Sequence, residues 1–224
     1  MTLDDLPTPC LVLDLGILKA NLARMQAAVD RHPGLRLRPH MKTAKSIPVA
    51  DLAAPGKGPI TVSTVAEARY FAGGGFHDQI YAVGVTPAKL DAIAALNAQG
   101  ADVKVITDDI DVAAAIAAHS GPLRALVEVD CGEGRGGVTP DSNLLTAIGG
   151  RLGARCAGVM THAGHSYAER SIEGVAAVAE TEHRGAVLAA ERLRAMGATV
   201  EVVSLGSSPT ALYGKDMAGI TDIR

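Results

Sequence analysis

Four stretches of this 224-residue chain carry reactive side chains. The first is Arg36-Leu37-Arg38-Pro39-His40-Met41-Lys42-Thr43-Ala44-Lys45, which crowds basic groups around Lys42. A lysine ending an inner strand is partly desolvated, and neighbouring positive charge adds to that effect; both lower its pKa. The neutral amine is then a nucleophile toward an aldehyde. A basic loop of exposed lysines is the competing reading. The second stretch, Glu128–Gly137, spaces Gly132, Gly134 and Gly137 as in a dinucleotide-binding turn. Glu128, Asp130 and Glu133 would repel a pyrophosphate, and no acidic residue lies between Asp141 and Glu169 to bind a ribose. These glycines read instead as a turn that aims Arg135 into a ligand site, with a purely structural turn as the alternative.

The third stretch is Thr161-His162-Ala163-Gly164-His165-Ser166-Tyr167. Apart from Glu169, no Cys, Asp or Glu lies within five residues of His165, so hydrogen-bonding or acid–base groups around an organic ligand fit better than a metal. The fourth is Ser204-Leu205-Gly206-Ser207-Ser208-Pro209-Thr210. Small hydroxyl residues at the end of a strand, before a proline that opens a helix, make a phosphate site; an ordinary capped helix is the rival. An amine at one end, a phosphate cradle at the other, and an arginine and a His/Tyr cluster between them suit pyridoxal 5′-phosphate.

The elements that must position these groups alternate. Ile17 to Arg31 reads as an amphipathic helix, with Leu18, Leu22, Met25 and Val29 at helical spacing, Asp14 near its N-cap and Pro33-Gly34 as its stop. Candidate strands follow at Leu35–Lys42, Ile60–Ser63, Gln79–Val83, Asp102–Thr107, Arg124–Asp130, Arg155–Thr161 and Thr199–Leu205. Candidate helices between them are Ser46–Ala54, Val65–Phe71, Pro87–Ala98, Ile110–Ser120, Asp141–Ile148 and Ile172–Met196. Such alternation requires parallel strands joined by crossovers. The expected fold is an α/β (β/α)8 barrel forming one domain over residues 1–224, with a doubly wound sheet as the alternative. All four reactive stretches then fall at the C-terminal ends of strands, where barrel enzymes keep their chemistry. Ile220–Arg224 reads as at most the beginning of strand eight, and the sequence stops at Arg224, so the barrel is expected to be incomplete there.

Composition removes other classes. Twenty-one basic residues against 24 acidic ones give a net charge of −3, and aromatics are 3% of the chain, so neither a basic face nor a stacking surface for nucleic acid is expected. No apolar run approaches the ~20 residues that span a bilayer. The acidic start Met1-Thr2-Leu3-Asp4-Asp5 lacks the features of a signal peptide, which makes the cytoplasm the expected compartment. Cys10, Cys131 and Cys156 form no close pair, which excludes a disulfide framework or a CxxC site.

Five motifs in order carry a family resemblance. They are Asp4-Asp5-Leu6-Pro7-Thr8-Pro9 leading to Leu11-Val12-Leu13-Asp14; Arg38-Pro39-His40-Met41-Lys42-Thr43; Glu128-Val129-Asp130 with Gly132 and Arg135-Gly136-Gly137; His162-Ala163-Gly164-His165-Ser166-Tyr167; and Gly206-Ser207-Ser208-Pro209-Thr210. Through them the chain resembles the fold type III pyridoxal-phosphate enzymes, in the D-threonine aldolase and D-serine dehydratase branch of the alanine racemase N-terminal-domain superfamily. The resemblance implies that Lys42 is the Schiff-base lysine, with Lys45 as runner-up. It implies that Arg135 contacts the ring oxygen, that His162 and Tyr167 line the ring, and that Gly206, Ser207, Ser208 and Thr210 hold the phosphate. Ala44 stands where a histidine is common. The implied activity is a lyase on a β-hydroxy-D-amino acid; a racemase and a non-catalytic cofactor carrier are the alternatives. The family continues past the position of Arg224 into a β-rich domain that carries a divalent metal, so no metal ligand is expected in this chain, which is expected to be a poor catalyst by itself. A homodimer is the expected assembly.

Overall fold

The computed structural model describes residues 2–224. Among these, eight helices and eight strands alternate. In chain order they are α1 (Leu15–Val29), β1 (Arg36–Leu37), α2 (Ile47–Ala53), β2 (Ile60–Val62), α3 (Val65–Gly73), β3 (Asp78–Gly84), α4 (Leu90–Ala98) and β4 (Asp102–Thr107). Then come α5 (Ile110–Ala118), β5 (Arg124–Val129), α6 (Asn143–Leu152), β6 (Cys156–Thr161), α7 (Ile172–Ala195), β7 (Val202–Leu205), α8 (Ser208–Tyr213) and β8 (Asp222–Ile223). Side-chain caps set several helix starts, as expected from the short polar residues that precede them. Asp14 accepts the Ile17 N–H at 2.8 Å, and Thr64 accepts the Glu67 N–H at 3.0 Å.

The strands are all parallel and pair in the order β1-β8-β7-β6-β5-β4-β3-β2. The two ends of this sheet meet at a bridge between His40 and Thr61. There the Met41 N–H donates to the Thr61 carbonyl, and the Thr61 N–H to the Pro39 carbonyl, both at 2.9 Å. Sequential order with joined ends is the (β/α)8 barrel, and it excludes the doubly wound alternative.

Strand eight corrects one expectation. It is present and paired on both sides, with Asp222 and Ile223 opposite Ser204 and Leu205 of β7 and opposite Arg36 and Leu37 of β1. Strands one and seven are therefore not left as edges. Backbone bonds extend this short ladder: the Arg38 N–H reaches the Ile223 carbonyl at 2.8 Å, and the Arg224 N–H reaches Leu205 at 3.0 Å. Strand one is shorter than expected, because Pro39 has no N–H to continue a ladder and residues 41–44 turn away.

The hydrophobic core has two parts. The larger fills the space between strands and helices, and Ile223 belongs to it. The smaller fills the barrel interior with Ile80, Ile106, Leu126, Ala157, Met160 and Val202. Gly158 of β6 has φ +139, and a side chain there would collide with the Val202 carbonyl, so close approach of β6 and β7 needs a glycine.

Charge plugs the interior at the strand starts. Arg38 is fully buried; its Nε lies 3.1 Å from Asp222 Oδ1 and its Nη1 2.9 Å from Asp78 Oδ1. Lys104 Nζ joins Asp78 at 3.3 Å and Asp102 at 2.6 Å. Burial works against the Arg38 charge, but Asp222 and Asp78 outweigh it and hold the guanidinium above its ordinary value. Burial likewise opposes the Asp78 charge, but Arg38 and Lys104 hold that carboxyl below the usual range.

Breaking this cluster leaves a buried charge without its partner. Asp222→Ala is expected to lower the unfolding free energy by about 3–5 kcal/mol, measured by urea denaturation. Because the folded Asp78 value is depressed, its stabilisation is complete above the unfolded value of about 3.9 and is lost as pH falls through the lower folded value. Asp78→Asn is expected to flatten that acid limb in urea midpoints recorded against pH.

Candidate active site

The C-terminal ends of the strands surround two adjoining cavities. One, about 410 Å3, reaches from Lys42 to Asp108, Glu128 and Arg135. The other, about 470 Å3, reaches from Lys42 to Tyr167, Gly206, Ser207 and Ser208. Both are lined by His40, Lys42, His162 and Arg224, so they form one mouth with these four side chains at its waist.

Lys42 follows the bridge that closes the barrel, which fixes its backbone over the mouth. Its side chain is exposed, not desolvated as the strand-end position suggests. Lys45 is also exposed, lines neither cavity, and is paired with Glu67 at 3.3 Å. His40 lies behind Lys42: its Nδ1 accepts the Lys42 N–H at 3.3 Å, and its Nε2 is 3.3 Å from the Ser63 hydroxyl. Burial, reinforced by the charges of Lys42 and Arg224, pushes His40 down to about 3. The ring is neutral, with Nε2 bearing the hydrogen that Ser63 accepts.

His162 stands on the loop after β6, with Nδ1 3.0 Å from the Gly206 carbonyl. A carbonyl can only accept, so Nδ1 carries the proton and Nε2 keeps its lone pair. Burial lowers the His162 pKa and Arg224 adds to this, against the Gly206 carbonyl. Arg135 is mostly exposed at the mouth, with Nη1 3.6 Å from Glu133. It sits on the glycine turn as expected, and that turn is internally braced: Asp130 accepts the Gly132 N–H at 2.9 Å, and Asp108 accepts the Gly137 N–H at 2.7 Å. Burial, with Asp108 nearby, raises the Glu128 pKa, opposed by Arg135 and Arg224.

At the far side, the turn after β7 is a closed hydrogen-bond circuit. The Gly206 N–H donates to Glu182 at 3.1 Å, the Ser207 N–H to the Thr210 hydroxyl at 3.0 Å, and the Ser208 N–H to the Tyr167 hydroxyl at 3.3 Å. The Ser207 hydroxyl also meets that of Ser166 at 2.7 Å. Gly206, Ser207 and Ser208 line the cavity, whereas Thr210 is buried behind them as the partner of Ser207 in a capping box.

Sequence reasoning missed Arg224, Ser166 and Glu182. Arg224 is buried, donating to the Ser204 hydroxyl at 2.9 Å and to the carbonyls of Thr161 and Gly206. Burial draws it down to about 10, still a cation at neutral pH. Its signal was the two-residue alternation Asp222, Ile223, Arg224, which puts both charges inside. Among the described residues, no group of three or more His, Cys, Asp or Glu could hold a metal, and no helix is long and apolar enough to cross a membrane.

Fold and site together define a (β/α)8 barrel with an amine, two arginines and a hydroxyl-lined turn around one ligand mouth. Comparison with known proteins narrows this. The alanine racemase N-terminal domain family matches residues 13–224, and the chain belongs to that family. The chain is 44% identical to D-threo-3-hydroxyaspartate dehydratase of Delftia sp. (strain HT23), over all of its own length and 61% of that protein. The solved structure of that dehydratase superposes with a TM-score of 0.93, covering 98% of this chain and 60% of the other. A D-threonine aldolase of Arthrobacter sp. is 33% identical over 97% of this chain and 59% of its own length. The chain thus spans about three-fifths of the length of these relatives.

The neutral state of half-buried His40 can be checked directly. In NMR titration of the imidazole carbons, His40 is expected to show no protonation step between pH 5 and 8, whereas the exposed-ring value is about 6.5. A full titration of His40 near that value would contradict the geometry.

Proposed function

We propose that this barrel binds pyridoxal 5′-phosphate and serves a lyase that acts on a β-hydroxy-D-amino acid. The observation that carries the reading is the single mouth joining the Lys42 amine to the hydroxyl-lined turn Gly206–Ser208. The donor set fits the cofactor: an accessible amine for its aldehyde, small hydroxyl residues for its phosphate, and Arg135, His162 and Tyr167 between. Thr210 supports the turn from behind. When bound, the cofactor supplies an electron sink that weakens bonds at the substrate α-carbon.

The chain's own residues do the rest. Lys42 is the one lysine among the described residues that lines both cavities, so its Nζ anchors the cofactor and, once released, is placed to take a proton from the substrate α-carbon. His162 holds its Nδ1 proton on Gly206, so it offers no second proton at the ring. Arg135 and Arg224 face the mouth as fixed cations suited to ring oxygen and substrate carboxylate.

Water elimination is the favoured lyase chemistry, supported by the 44% identity to a 3-hydroxyaspartate dehydratase. 3-Hydroxy-D-aspartate is accordingly the first substrate to assay. Release of ammonia and a 2-oxo acid marks elimination; glycine and an aldehyde mark aldol cleavage; inversion alone marks a racemase. A divalent metal that polarises the β-hydroxyl belongs to the resemblance, and no step here depends on it. A homodimer is the proposed assembly, checked by analytical ultracentrifugation.

Borohydride reduction of the cofactor-loaded protein followed by peptide mapping is expected to label Lys42; a label on Lys45 overturns the assignment. The double variant Ser207→Asp, Ser208→Asp is expected to abolish cofactor retention, because it sets negative charge where an anion must sit. Unchanged retention removes the phosphate from this turn.

A further inference from the structure

Glu182 interrupts the apolar face of α7 directly behind the turn after β7. Its neighbours on that face are Val175, Ala179, Ala186 and Leu193, and Glu182 itself is fully buried. A buried acid is costly unless it meets a specific partner. Here Oε1 accepts the Gly206 N–H at 3.1 Å. The Thr210 hydroxyl and the Ala163 N–H face the same carboxyl, and Oε2 has no partner among the described residues. One side chain therefore touches the loop after β6, the turn after β7 and the start of α8.

The turn needs this support. Gly206 has φ +125, and a Cβ there would stand 2.8 Å from the Arg224 carbonyl. Its N–H points into the protein and would be orphaned without an acceptor from α7. The ionisable groups facing the carboxyl are Arg224, across the turn, and Cys131, on the loop after β5. His183, next on the helix, turns away to the Ala218 carbonyl at 2.8 Å.

We propose that Glu182 is a positioning residue for a phosphate group, holding the Gly206 N–H inward so that Ser207 and Ser208 keep their orientation toward the cavity. The inference rests on the phosphate reading of that turn. Burial raises the Glu182 pKa, with Thr210, Gly206 and Arg224 opposing. In its protonated form the carboxyl supports the turn without setting negative charge beneath an anion; the ionised form repels one. Phosphate affinity therefore falls as pH rises through the Glu182 value.

The test is equilibrium dialysis of the protein against pyridoxal 5′-phosphate and against pyridoxal, which lacks the phosphate. The ratio of the two affinities is recorded across pH for wild type, Glu182→Gln and Glu182→Leu. The glutamine keeps an acceptor for Gly206 and is expected to retain the ratio while losing its fall with rising pH. The leucine is expected to lose roughly tenfold of the ratio, the worth of one hydrogen bond to the turn. A leucine variant with the wild-type ratio, or a glutamine variant that follows the wild-type pH profile, overturns the role of Glu182. Should the leucine variant fail to fold, as read by circular dichroism, the glutamine profile decides alone. A wild-type protein that binds both compounds equally removes the phosphate reading itself, and the inference with it.

Discussion

The buried guanidinium of Arg38 is the interaction on which the barrel depends. A closed sheet has one seam where its first and last strands in pairing order must meet, and here that seam runs between β1 and β2. The ladder there is reduced to one bridge, because Pro39 cannot donate. Arg38 crosses the gap from inside: it binds Asp222 of β8, Asp78 of β3 and, at 3.4 Å, the Ile60 carbonyl of β2. Three strands are tied to one side chain that follows directly on β1. Removal of its partners is costly because the charge cannot reach water.

The site inherits its precision from this seam. His40 and Lys42 follow Arg38 by two and four residues, so the mouth is set by the closure of the barrel and not by a free loop. Neutral His40 braces the backbone of Lys42 without adding charge beside the amine. On the opposite wall, the His162 ring ties the loop after β6 to the turn after β7. Arg224 lies between, donating to both.

Much of this was legible in the sequence. The alternation of strands and helices gave the barrel, and the positions of Lys42, Arg135, His162 and Ser207 at strand ends placed them around one opening. What failed to show were features whose cause is tertiary. The sequence stops at Arg224, where strand eight was expected to be only beginning, and two residues are too short a ladder to recognise without their partners, so β8 was expected to be missing. Its register becomes visible only through Ser204 and Arg36 on either side. The desolvation expected for Lys42 assumed that it ends an inner strand, whereas β1 stops at Leu37 and Lys42 lies exposed in the turn that follows. Glu182 was readable in principle, since an acid at helical spacing with Val175, Ala179 and Ala186 contradicts its own apolar face. The motif Ser207–Thr210 identified the turn but not its wiring, in which Thr210 serves Ser207 and leaves the cavity to its neighbours.

That wiring bears on how the turn itself behaves. The N–H groups of Gly206, Ser207 and Ser208 are already spoken for by Glu182, Thr210 and Tyr167. Under the proposed reading, an oxyanion at this turn would exchange bonds with these partners; it would not complete an unfinished set. Tyr167 is the exposed member of the three, and its 3.3 Å contact is the most easily surrendered. The turn is therefore complete in its own bonds. Its outermost contact, the Tyr167 hydroxyl on the Ser208 N–H, is the one bond of this set that faces solvent.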